Sequence, residues 1–85
     1  MDKSIEETKI LIVEDESIVA LDIKSAVLRL GFQVSDTVTN YFDAITSVKA
    51  NEPDIVLMDI NLKNSKDGIE TATDIKRIKN IPIVY

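Results

Sequence analysis

Two short apolar runs that end in carboxylates constrain this chain more than any other feature in it. Ile10-Leu11-Ile12-Val13 runs into Glu14-Asp15-Glu16, and Ile55-Val56-Leu57-Met58 runs into Asp59. Aliphatic, β-branched quartets of this kind read as strands buried on both faces of a parallel sheet. If the two strands lie side by side, their carboxyl ends bring Glu14, Asp15 and Asp59 into one crevice. Three carboxylates that close repel one another. They are tolerated with a cation among them or with raised pKa values. The crevice is therefore a candidate site for a hard metal ion and for chemistry on an anion.

The rest of the chain supplies the elements such a sheet needs. Residues 1–7 are polar and read as a loose extension, and Thr8 to Val13 reads as the first strand. Val19, Ile23, Ala26, Val27 and Leu30 recur as one stripe of an amphipathic helix. Ser17 is the expected N-cap and Gly31 the left-handed stop. Phe32, Val34 and Val38 alternate with polar residues as in a half-exposed strand, and Asp36 suits a sheet edge. Thr39 or Asn40 caps a second helix carrying Ala44, Ile45 and Val48, which must end before Pro53. After the third strand comes a polar loop over 61–67. Asp67-Gly68 opens a third helix, with Ile69, Ala72, Ile75 and Ile78 read as inward and Asn80 as its end. Ile81-Pro82-Ile83-Val84-Tyr85 begins a fourth strand. The order β-α-β-α-β-α-β specifies a parallel sheet with helices on both faces and right-handed crossovers. Ligands of such sheets bind beyond the carboxyl ends of the strands, where both acidic clusters lie.

Composition narrows the function. The 85 residues form one small domain with a net charge of −5, which argues against direct binding to nucleic acid or to an anionic membrane surface. There is no cysteine, so disulfides and thiolate chemistry are excluded, and no histidine to act as a base or phosphocarrier. No run approaches membrane-spanning length and the N-terminus has no apolar leader segment, so the expected location is cytoplasmic.

With these residues in place the chain resembles the receiver domain of response regulators in two-component signal transduction. The resemblance rests on Ile10-Leu11-Ile12-Val13-Glu14-Asp15-Glu16, on Pro53-Asp54-Ile55-Val56-Leu57-Met58-Asp59-Ile60 with Asp67-Gly68 following, on Gly31-Phe32, and on Ile81-Pro82-Ile83-Val84. It covers residues 8–85, and the ordered combination carries it rather than any one piece. It implies a three-layer, flavodoxin-like, doubly wound α/β fold in which the strands present take the order 2-1-3-4. It implies that Asp59 accepts a phosphoryl group from a sensor histidine kinase, giving a phosphoprotein with an aspartyl phosphate. It also implies Mg²⁺ as cofactor, held by Glu14, Asp15, Asp59 and the backbone carbonyl of Asn61. The chemistry is sound in its own terms. A carboxylate can act as a nucleophile toward phosphorus, and a divalent cation offsets the repulsion between the two anions.

Two departures stand out. The family often has proline four residues after the acceptor; here the residue is Lys63, and the loop is one residue longer than the commonest form. The sequence ends at Tyr85, before the serine or threonine, the lysine-bearing fifth strand and the last two helices of a receiver. Residues 8–85 are accordingly expected to be the N-terminal part of a receiver domain. An exposed fourth strand and a partly covered sheet face then invite a homodimer. That self-association competes with the simpler expectation that the chain is a fragment of a longer protein.

Blander readings stand beside these. Glu14 and Asp15 could form a solvated acidic turn, and Glu16 reads as helix-end electrostatics. Lys63 and Lys66 read as solvated loop lysines, Asp67 as a turn and cap residue, and Tyr41, Phe42 and Tyr85 as packing residues. The leading function is a non-enzymatic phosphoacceptor module, catalysing at most its own phosphorylation and dephosphorylation. One alternative is a receiver-like interaction module that does not transfer phosphate. Another is a Mg²⁺-dependent phosphatase, disfavoured because Asp59-Ile60-Asn61 lacks the second aspartate expected on one strand.

Overall fold

The computed structural model describes residues 3–63 and 66–85. A 3₁₀ turn at Ile5–Glu7 leads into β1 (Lys9–Val13), α1 (Ser17–Arg29), β2 (Gln33–Val38), α2 (Tyr41–Asn51), β3 (Ile55–Met58), α3 (Gly68–Ile78) and β4 (Ile83–Val84). The strands form one sheet in the order β2-β1-β3-β4, and every pairing is parallel. This is the 2-1-3-4 order that the family resemblance implies. No helix among the described residues is long and apolar enough to cross a membrane.

The pleat of the central strands sorts the core into two layers. Leu11, Val13, Val56 and Met58 point to one face, where Ala44 and Val48 of α2 and Ile75 of α3 cover them. Ile10 and Ile12 point to the other, against Val27 and Ile23 of α1. Leu11, Ile12, Val56 and Ile75 are fully buried, and each such side chain contributes about 1.5–3 kcal/mol relative to exposure. The α1 face is covered less completely. Ile55 and Leu57 remain half-buried there, whereas Val56 and Met58 on the opposite face are 0% and 3% exposed.

The helix boundaries refine the sequence reading. Gly31 does adopt the left-handed conformation, with φ of 99°, and it ends α1. Asn40 caps α2, its side chain accepting the Asp43 N–H at 2.9 Å. Asp67 caps α3 in a reciprocal box with Glu70. Ser17, however, is not the N-cap of α1. Glu16 occupies that position without a side-chain cap bond, and its own N–H donates to Glu14 Oε2 at 3.0 Å. An acidic side chain from the preceding strand end thus takes a donor that the cap would otherwise leave free. The buried stripe of α1 is centred on Ala20 and Val27, leaving Val19 and Leu30 exposed at its margins. In α3 the inward set is Gly68, Thr71, Ala72 and Ile75, while Ile69 and Ile78 are exposed. Thr71 can be buried because its hydroxyl donates to the Asp67 carbonyl at 2.7 Å. Phe42 and Tyr85, read as packing residues, are 66% and 58% exposed. The N-terminal extension is tied down at Ile5–Glu7, where Gln33 Nε2 donates to the Glu6 carbonyl at 2.7 Å.

Asp54 fixes the amino end of the β1–β3 pair. Its carboxylate accepts the Lys9 N–H at 2.8 Å and pairs with Lys3 at 3.0 Å, and its own N–H donates to the Lys9 carbonyl at 2.8 Å. The Lys9 N–H, assisted by the Lys3 charge, holds this carboxyl below the ordinary aspartate value. A depressed carboxyl pKa stabilises the fold above the unfolded value of about 4, and the contribution is lost as pH falls through the lower folded value. Asp54→Ala is expected to cost about 1 kcal/mol at neutral pH, discounted for partial exposure. The difference from the parent should vanish in acid. Urea unfolding of both proteins across that range measures it, and a deficit independent of pH would contradict the assignment.

Candidate functional site at the carboxyl ends of β1 and β3

Register alone brings the acidic residues together. Val13 pairs with Met58, so the next residues of the two strands leave the sheet side by side. The ladder extends one step beyond the strands on each side of β1. The Asp59 N–H donates to the Val13 carbonyl at 3.0 Å, and the Glu14 N–H donates to the Val38 carbonyl at 2.9 Å. The outcome is a cluster in which one carboxylate oxygen from each of Glu14, Asp15 and Asp59 lies within 4.8 Å of the others.

The three carboxylates differ in their surroundings. Glu14 is buried, at 7% exposure. Desolvation pushes its carboxyl above the ordinary glutamate value; the Glu16 N–H opposes the rise, and the Asp59 charge adds to it. Asp15 accepts the Lys63 N–H on Oδ2 at 3.1 Å. Its Oδ1 is buried and has no hydrogen-bond partner among the described residues. Asp59 accepts the Asn61 N–H on Oδ1 at 3.0 Å. A carboxylate with one buried, partnerless oxygen, clustered with two further carboxylates, is the arrangement a hard divalent cation satisfies, since oxygen donors and surplus negative charge are what such ions need. The donor set fits Mg²⁺.

The β3–α3 loop shapes the far wall. Leu62, the one apolar residue of a loop otherwise read as polar, is buried in the main core layer and draws the loop inward. Gly68 closes it. Its N–H donates to the Ile60 carbonyl at 3.1 Å. A methyl at Gly68 would collide with the Asp59 carbonyl and lie 2.7 Å from Ile60 Cα. Beside the carboxylates opens a largely apolar cavity of about 390 Å³, lined by Glu14, Asp59, Asn61, Leu57, Val84 and Tyr85.

Glu14, Asp15 and Asp59 therefore converge as the strand-end argument requires, and Asn61 lies at the rim with its N–H turned to Asp59. Of the two loop lysines, Lys63 remains exposed, with Nζ 3.8 Å from Glu16. Lys66 is not simply solvated: it is bound to Asp74. The sequence reading missed the supporting roles of Leu62 and Gly68. A lone leucine among polar loop residues and a glycine directly after an acidic cap were the available signals.

Known proteins agree with this geometry. The family model described as the response regulator receiver domain matches residues 10–85. The chain is 36% identical over 70 residues to the chemotaxis protein CheY of Bacillus subtilis, covering 82% of this chain and 58% of CheY. It is 28% identical over 79 residues to the phyllosphere-induced regulator PhyR of Methylorubrum extorquens, covering 92% of this chain and 30% of PhyR. Among solved structures, the anti-anti-sigma factor PhyR complexed with the anti-sigma factor NepR from Bartonella quintana aligns with a TM-score of 0.84 at 32% identity. That alignment covers 91% of this chain and 32% of PhyR. The chain thus spans less than two thirds of the length of these relatives. It belongs to the response regulator receiver domain family, and its fold is the flavodoxin-like fold of those domains.

Because a Cβ at Gly68 would meet backbone rather than a flexible side-chain tip, Gly68→Ala should displace the Asp59–Ile60 peptide and destabilise the protein by about 1–3 kcal/mol. Denaturant unfolding reads the stability, and the amide resonances of Asp59 and Ile60 report the displacement. Unmoved resonances would show that the close approach does not position Asp59.

Proposed function

We propose that this receiver chain is a phosphoacceptor module of a two-component system, with Asp59 taking the phosphoryl group of a histidine kinase partner. The observation that carries the reading is the convergence of Glu14, Asp15 and Asp59 within 4.8 Å, with Asp15 Oδ1 buried and without a hydrogen-bond partner among the described residues. Family membership supports the same reading.

An Asp59 carboxylate oxygen attacks phosphorus in line with the leaving group. The P–N bond of the donor phosphohistidine breaks as the new P–O bond forms, the imidazole takes a proton from solvent, and an acyl phosphate remains on Asp59. Asn61 orients the acceptor through its N–H on Oδ1, leaving Oδ2 as the attacking atom. Glu14 and Asp15 would hold the cation, together with Asp59 and the carbonyl of Asn61. When bound, Mg²⁺ supplies the positive charge that lets one anion approach another. Glu14, buried and with a raised pKa, takes up charge most readily when a cation compensates it.

A second reading is an interaction module in which recognition rather than phosphate transfer is the output. The similarity to PhyR, solved in complex with the anti-sigma factor NepR, favours it. Protein binding and phosphorylation are compatible, so the decisive measurement is covalent. Incubated with Mg²⁺ and a small acyl-phosphate or phosphoramidate donor, the protein should gain one phosphoryl group by mass spectrometry. Asp59→Asn should lose that gain, and chelation of the metal should suppress it. In parallel, Asp15→Asn should weaken Mg²⁺ binding by at least about tenfold, since loss of even an outer-shell partner of a metal ligand costs that much. No mass gain with Mg²⁺ bound would favour the interaction module.

A further inference from the structure

On the far side of the β3–α3 loop, three residues distant in sequence close on one another. Asp74, on the second turn of α3, accepts the Tyr41 hydroxyl and the Lys66 ammonium on the same Oδ2, each at 2.8 Å. Lys66 Nζ also sits 4.6 Å from the centroid of the Tyr41 ring. Phe42 holds that ring from the side, edge-on with centroids 5.3 Å apart. Arg77 approaches the other Asp74 oxygen at 3.5 Å. Lys66, and secondarily Tyr41, keep the Asp74 carboxyl below its ordinary value. An isolated surface ion pair contributes little. Here, however, one carboxylate, one cation and one ring satisfy each other in a network, with Asp74 only 20% exposed.

The placement of this network gives it a consequence for the site. Lys66 immediately precedes Asp67, the cap of α3, and Gly68, whose backbone lies against the Asp59 and Ile60 peptide. Tyr41 is the first residue of α2 and follows the end of β2, whose Val38 carbonyl receives the Glu14 N–H. Hydrogen bonds, close contacts and short stretches of chain together close a ring. They run from Glu14 through Val38 to Tyr41, across Asp74 and Lys66, and back through Gly68 and Ile60 to Asp59.

We propose that Asp74, through Tyr41 and Lys66, is a positioning residue that clamps the α3 end of the β3–α3 loop against α2 and so sets the backbone that presents Asp59. Its importance for phosphorylation rests on the phosphoacceptor reading; its effect on the loop does not.

The test combines amide hydrogen exchange with phosphoryl uptake in the full chain. Asp74→Ala and Lys66→Met should speed exchange of the Gly68 N–H by about threefold, the scale of a lost surface network. Exchange of the Val56 N–H, bonded to the Pro82 carbonyl in the sheet, should not change. Lys66→Arg should restore slow exchange. Tyr41→Phe, which removes only the hydroxyl, should give a smaller change of the same kind and serves if Asp74→Ala does not fold. Phosphoryl uptake should slow in the same order. Unchanged Gly68 exchange in all variants would overturn the clamp. Equal acceleration at Gly68 and Val56 would also overturn it, by showing a general loss of stability. If Gly68 exchange moves while the parent protein takes up no phosphoryl group, the clamp stands and the phosphoacceptor reading falls.

Discussion

The mutual repulsion of three carboxylates is the constraint around which this molecule is organised. Unit charges within 4.8 Å would oppose one another by at least about 3.5 kcal/mol per pair at an effective dielectric of about 20. A flexible loop would relieve that repulsion by moving apart. The arrangement persists because two of the three residues are extensions of buried strands whose register is fixed by the core. Leu11 and Ile12 are 0% exposed on opposite faces of β1, and a one-residue slip would turn every β1 side chain to the wrong layer. Hydrophobic burial thus supplies the rigidity, and the rigidity stores an unfavourable charge arrangement that a cation would relieve.

How much of this was legible in the sequence depends on the range of the interaction concerned. The strands and helices follow from local periodicity, whereas the convergence of Glu14 with Asp59 needs β1 beside β3, a strand order that only the family resemblance implied. The details that went astray are those that depend on partners elsewhere. Ser17 looks like a cap by residue type, but Glu14 had already taken the Glu16 N–H. Ile69 and Ile78 fit a helical stripe with Ala72 and Ile75, yet only the latter two are buried, and Gly68 and Thr71 pack inward beside them. The bonds from Lys63 to Asp15 and from Tyr41 to Asp74 join residues 48 and 33 positions apart. No pattern in one sequence announces a pairing of that kind.

The two faces of the sheet are covered unequally among the described residues. The α2–α3 side is sealed, with Val48, Val56 and Ile75 at 1% exposure or less, and it carries the stability of the fold. The α1 side leaves Ile55 and Leu57 half-buried and opens into the cavity beside Asp59. On the phosphoacceptor reading, a phosphoryl group on Asp59 would add charge beside these half-buried apolar side chains.

Lys63 shows how a departure from the common family pattern can be read chemically. Its N–H donates to Asp15 Oδ2 at 3.1 Å. A proline at this position has no N–H to donate, so the chain with lysine gains a backbone donor on one of its candidate metal ligands. The bond anchors Oδ2 and leaves Oδ1 of the same carboxylate buried and without a partner among the described residues. Proline would stiffen the loop through its ring; lysine ties the loop to the site through its main chain. The second solution places the anchoring atom on the crevice itself, while the Lys63 side chain remains exposed to water with Nζ near Glu16.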